Sequence, residues 1–229
     1  MSFAFAPDRV AALETAAWRA YYDKNWPKLL YMTERALAEQ FSISLPAAAE
    51  AAYYATRGAI AFKPATSDLL GAIAACERYY AIVRRHSGLG FDPRTVAQAE
   101  VRYWQVHRRL AGATKHDELL DTFAALHAAT FGIPYDRSRE SAMWRTLAAI
   151  TVDDITSGRS NNVDADWLRC AAQLRRCYRA LSRELERSEA LLARSARPGD
   201  RLHPGLAAAG SPYTGLQSVL MNSASSRWK

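Results

Sequence analysis

Placing "FAPDRVAALETAAWRAY" (residues 5–21) over "FDPRTVAQAEVRYWQVH" (91–107) matches Phe5 with Phe91, Pro7 with Pro93, Val10 with Val96, Ala11 with Ala97, Glu14 with Glu100 and Trp18 with Trp104, without a gap. At an offset of 90 the match continues: Leu29 and Leu30 meet Leu119 and Leu120, Phe41 meets Phe131, Ile43 meets Ile133, Glu50 meets Glu140, Tyr54 meets Trp144 and Ile60 meets Ile150. After an insertion the offset becomes 98, and Asp68, Leu70 and Tyr80 fall on Asp166, Leu168 and Tyr178. Three collinear blocks imply a tandem duplication, and a duplicated unit of this size buries its apolar face against its own copy.

Each copy reads as four helices. Pro7 and Pro93 stand in first turns, where the missing N–H costs nothing, and "SISLP", "KPATSD", "HSGLG" and "SGRSNN" punctuate the chain. Helices are expected near 8–24, 27–41, 46–62 and 67–86, then near 94–110, 116–131, 134–156 and 163–192. No alternating stretch is long enough for a sheet, and alanine is abundant among the 49% apolar residues. The expected fold is therefore all-α: about eight helices in two tandem pseudo-symmetric four-helix repeats, residues 1–89 and 90–194, packed as one bundle. From 195 to 229 the chain turns rich in Gly, Pro and Ser and reads as an irregular tail, with Leu216, Val219, Leu220 and Trp228 able to dock.

Thirty Lys and Arg against 23 Asp and Glu give a formal charge of +7. The excess is spread along helices, which reads as solvated faces, so nucleic acid is not the expected partner. Cys76, Cys170 and Cys177 form no CxxC pair and lie in apolar helical context, as reduced core residues of a cytoplasmic protein would. No apolar run long enough to span a membrane occurs, so none is expected to be crossed.

The duplication singles out four glutamates. Glu14, Glu50, Glu100 and Glu140 each precede an aromatic residue by four positions, namely Trp18, Tyr54, Trp104 and Trp144. An acid and an aromatic on one helical face suggest an acid pointing inward, and a buried carboxylate needs a partner. Metal is one partner: dinuclear helical sites assemble carboxylates and imidazoles from facing helices. Glu14, Glu50, Glu100, Glu140 and His107 supply five such ligands, and Tyr21 stands where the duplicate of His107 falls. The Glu-x6-His spacing of Glu100 and His107 resembles one in haem-oxygenase-like di-metal oxidases, although their His-x3-Asp-x2-His helix is absent here, as are ferritin-like Glu-x-x-His pairs. This inventory implies an oxidase or oxygenase holding two iron or manganese ions between the repeats, with Tyr21 and Trp104 at the reacting centre and a small-molecule substrate.

Arginine is the other partner. Arg57 follows Glu50 by seven residues, and Arg19, Arg102, Arg139 and Arg145 neighbour the other acids. Ion-paired glutamates would belong to a non-catalytic helical protein that binds a protein partner or a small apolar ligand. Of the remaining histidines, His86, His116 and His203 lack supporting spacing, while His127 replaces Leu37 of the first copy and is either a core residue or a partner of the site. Asp153 and Asp154 near the end of the seventh helix oppose its dipole, a placement in search of a reason.

Overall fold

A computed structural model describes residues 3–195, and the docking expected of Leu216, Val219, Leu220 and Trp228 lies outside them. Among the described residues there are eight helices and no strand: α1 (Pro7–Tyr22), α2 (Trp26–Phe41), α3 (Leu45–Phe62), α4 (Leu69–Ser87), α5 (Pro93–Leu110), α6 (Asp117–Phe131), α7 (Tyr135–Thr156) and α8 (Val163–Ser195). None of them is long and apolar enough to cross a membrane.

Local chemistry sets these ends. The side chains of Asn25, Asp68, Asp92 and Asn162 each accept the backbone N–H three residues on, satisfying one orphan donor of α2, α4, α5 and α8. Ser42, after α2, and Gly132, after α6, both turn the chain through the left-handed region, with φ of 51° and 65°. α1 stops two residues before the expected position because Lys24 also adopts a positive φ, 55°, and reverses the chain toward α2.

Each helix packs on its neighbours in sequence, and α8 returns to α1, so the up-and-down helices close into a ring. Buried positions of both chain stretches, from Phe5 to Leu181, share one apolar core. Gly58 leaves room for α4 against α3, since a Cβ there would stand 2.8 Å from the Cys76 Sγ. The seam between α8 and α1 carries exposed ion pairs, Arg179 to Asp8 at 2.6 Å and Arg19 to Asp164 at 3.1 Å; pairs of this kind contribute at most about 1 kcal/mol each.

One end of the ring is sealed by phenylalanines. Phe41 stacks on Phe131 with centroids 6.2 Å apart, and Phe3 and Phe5 lie against Phe131 at 6.3 Å. At the other end, where α1, α3, α5 and α7 finish, Tyr21, Tyr22, Lys63 and Arg108 are exposed. Arg108 ties α5 to α3 there, donating to the Phe62 carbonyl at 2.7 Å and the Ser67 hydroxyl at 2.8 Å, with its guanidinium 3.8 Å from the Phe62 ring centroid.

Candidate functional site

Inside the ring lies a cavity of about 620 Å³, walled by side chains from all eight helices. Its floor is Phe41 and Phe131, its mouth Tyr21, Tyr22, Lys63, His107 and Arg108, and its middle holds the polar groups Glu14, Glu100, Arg145 and His127 among aromatic rings. A volume in this range suits a small organic molecule.

Glu14, on α1, meets Arg145 on α7 in a two-point pair, with guanidinium nitrogens 2.6 and 3.0 Å from its two oxygens. The Tyr178 hydroxyl of α8 donates to the same carboxylate at 2.5 Å. Only 14% of the Arg145 side chain and 15% of the Glu14 side chain are exposed, so the pair is desolvated and its two-point geometry offsets that cost. Burial works against the Arg145 charge, but the Glu14 carboxylate outweighs it and keeps the guanidinium protonated. Trp18 and Phe123 flank this guanidinium, each with its ring centroid 5.6 Å away.

Among the described residues no arginine is bonded to Glu100, on α5. Its two oxygens accept from the Tyr80 hydroxyl of α4 at 2.9 Å and from the Trp104 indole N–H at 3.1 Å. Burial raises its pKa, the nearby Glu14 charge adds to the rise, and Arg145, Tyr80 and Trp104 counter it only in part. Burial likewise pushes the Tyr80 and Tyr178 phenols well above the usual tyrosine range, so both stay neutral donors. The cavity therefore holds one compensated acid and one acid that resists ionisation.

His127 is buried, and its Nδ1 lies 2.8 Å from the Ser141 hydroxyl. The Ser141 proton goes to the Ser138 carbonyl, 2.7 Å away, so His127 Nδ1 is the donor and Nε2 is unprotonated. Burial pushes its pKa down to about 3, which leaves a neutral imidazole in the wall.

The other expected site residues are placed as follows. Glu50 and Glu140 are exposed, in the early turns of α3 and α7, and Glu140 pairs with Arg183 at 2.8 Å on the outer surface. Their helices turn Ala47, Ala48, Ala51 and Ala52, and Ser138, Ser141 and Ala142, toward the core instead. Tyr54 and Trp144, the aromatics four positions on, are covered by Arg78 and Arg176 at 5.7 and 4.5 Å. His107 lines the mouth with its Nε2 3.0 Å from Asp153, which gives that acid at the end of α7 its reason. Tyr21 is 40% exposed at the rim, edge-on to Tyr22 and Trp26. Of the four glutamates the structure thus brings two, Glu14 and Glu100, to one cavity, with Trp104 beside the second. Among the described residues no three His, Cys, Asp or Glu side chains group closely enough to hold a metal ion. Compared with family models, curated proteins and solved structures, the chain finds no match.

Tyr80 and Tyr178 are the cavity side chains that spacing alone passed over, although the alignment of the two chain stretches pairs them. Arg145 was among the arginines expected to partner the glutamates, and it pairs with Glu14 on α1 rather than with Glu140 on its own helix.

The state of Glu100 gives a measurable pH signature. Its neighbours are Tyr79, Tyr80 and Cys76 from α4, Tyr103 and Trp104 from α5, Glu14 from α1 and Arg145 from α7. Its folded pKa lies above its unfolded value, so the unfolded chain ionises first as pH rises and stability falls until the folded pKa is passed. Glu100→Gln removes that loss. Urea unfolding from about pH 4 to 8 should show the variant gaining on the parent as pH rises from the ordinary glutamate value of about 4.3. A difference that stays flat with pH would mean Glu100 is solvated.

Proposed function

We propose that this chain binds a small organic molecule in its central cavity, and that the two halves, 5–86 and 91–192, are copies of one four-helix unit facing each other across it. The carrying observation is the cavity itself: a lining contributed by every helix and rich in aromatic rings, a closed phenylalanine floor, an exposed mouth and a few convergent polar groups.

Crosswise pairs support the duplication. Tyr80 donates to Glu100 from α4 to α5, and its counterpart Tyr178 donates to Glu14, the counterpart of Glu100, from α8 to α1. Arg78 covers Tyr54 as Arg176 covers Trp144. Phe41 stacks on its own counterpart Phe131, as residues astride a twofold axis do. One matched pair departs from this scheme: Asp68 caps α4, whereas Asp166 is buried within the first turns of α8, whose cap is Asn162. The second copy's last helix starts about a turn earlier.

The dinuclear oxidase implied by the carboxylate count is the less favoured reading. Two of its four glutamates face outward, and both oxygens of Glu14 are held by Arg145. Two measurements separate the readings. Titrating the protein with 2-phenylethanol should change tryptophan emission, because Trp18 and Trp104 line the cavity, and Ala59→Trp, which narrows the cavity from α3, should weaken binding by about tenfold or more. Elemental analysis after aerobic iron loading should find less than about a tenth of an equivalent of iron. Stoichiometric iron with no response to 2-phenylethanol would reverse the choice.

A further inference from the structure

Among the differences between the two halves around the cavity, one concerns a charge beside the central acids. On one side Arg145 fills the space between Glu14, Tyr178, Trp18 and Phe123. At the offset of 90, its counterpart in α3 is Ala55, and the counterparts of its surroundings are Glu100, Tyr80, Trp104 and Thr33. All five of these residues line the cavity. Glu100 accepts its tyrosine hydroxyl as Glu14 does, but among the described residues, where Glu14 takes two guanidinium N–H groups, Glu100 takes the Trp104 indole N–H. The Glu100 side of the cavity, built by α5 together with α3 and α4, thus repeats the acid, the phenol and the indole of an arginine seat and omits the arginine.

We propose that the cavity receives an organic cation, a guanidine or primary amine carrying an apolar body, whose charged head occupies beside Glu100 the place that Arg145 occupies beside Glu14. The proposal rests on the reading of the cavity as a ligand site and on the correspondence of the halves. The head would form charge-assisted hydrogen bonds with the Glu100 carboxylate, which ionises as the cation enters, and would sit near the Trp104 ring. The Arg145 Nη atoms that could attract an anion are already engaged by Glu14 and Tyr178. Leu29, Leu37, Phe41 and Phe62 supply an apolar lining for the body.

Calorimetric titration of the full chain with 2-phenylethylguanidine and with its neutral isostere 2-phenylethylurea tests this. The guanidine should bind roughly ten- to a hundredfold more tightly, the range of a charge-assisted bond over a neutral one. Glu100→Gln should erase that preference, and Ala55→Arg, which supplies the missing guanidinium from the protein, should abolish guanidine binding. If Ala55→Arg fails to fold, Ala55→Met fills the same space without charge and should weaken guanidine binding; unchanged affinity would place the head elsewhere and overturn the proposal. Equal binding of guanidine and urea, or a preference that survives Glu100→Gln, would overturn the cation while leaving the cavity as a ligand site. No binding of these two or of 2-phenylethanol would remove both readings.

Discussion

Arg145→Met should cost roughly 3–5 kcal/mol of folding stability, the penalty of leaving one member of a buried ion pair without its partner. For a helical region of this size that corresponds to a fall in Tm of about 10 °C or more. The loss comes from Glu14, whose carboxylate would keep only the Tyr178 hydroxyl in a desolvated wall. Glu14→Gln should destabilise for the converse reason, by stranding the guanidinium. The double variant Glu14→Gln/Arg145→Met should then lose clearly less than the two single losses added together, because neither half of the pair is left uncompensated. Urea unfolding of all four proteins measures this coupling. Additive losses below about 1 kcal/mol would show that the pair is as weak as a surface one.

Phe131→Ala should cost a comparable 3–5 kcal/mol, by a different route. Phe131 is 6% exposed and touches the rings of Phe3, Phe5 and Phe41, so it joins the end of α6 to the end of α2 and to the chain entering α1. Its removal enlarges the cavity through the floor, and neighbours that belong to three different segments cannot collapse together into the gap. Unlike the Arg145 variant, the loss should not be relieved by changing Glu14. A Phe131→Ala protein with an unchanged urea midpoint would show the floor to be loosely packed and the cavity open at both ends.

The helices were legible in the chain because their signals are local. Proline in a first turn at Pro7 and Pro93, acids and asparagines three residues ahead of a free N–H, and a left-handed residue at Ser42 or Gly132 act over a few ångströms of the same segment. The inward direction of Glu14 and Glu100 was legible through their matched sequence surroundings and the tryptophan one turn later. The same signal at Glu50 and Glu140 pointed outward. An aromatic one turn along shows only that the two side chains share a face of the helix. Whether that face meets the cavity depends on the adjoining helices, and in α3 and α7 the faces carrying small residues were taken into the core.

The sequence by itself determined that the described residues form helices and, to within about a turn, where these begin and end, since backbone capping and apolar periodicity are properties of contiguous segments. Tertiary structure alone decided the partners. Arg145 reaches Glu14 across 131 residues and Tyr178 reaches it across 164, because α8 closes the ring against α1. His107 meets Asp153 rather than Glu100 for the same kind of reason: α5 and α7 end at the same rim. Glu14 is paired because α7 carries Arg145 to it, while α3 lines the cavity with Ala55, and this contrast exists only once the ring has brought eight helices around a common space.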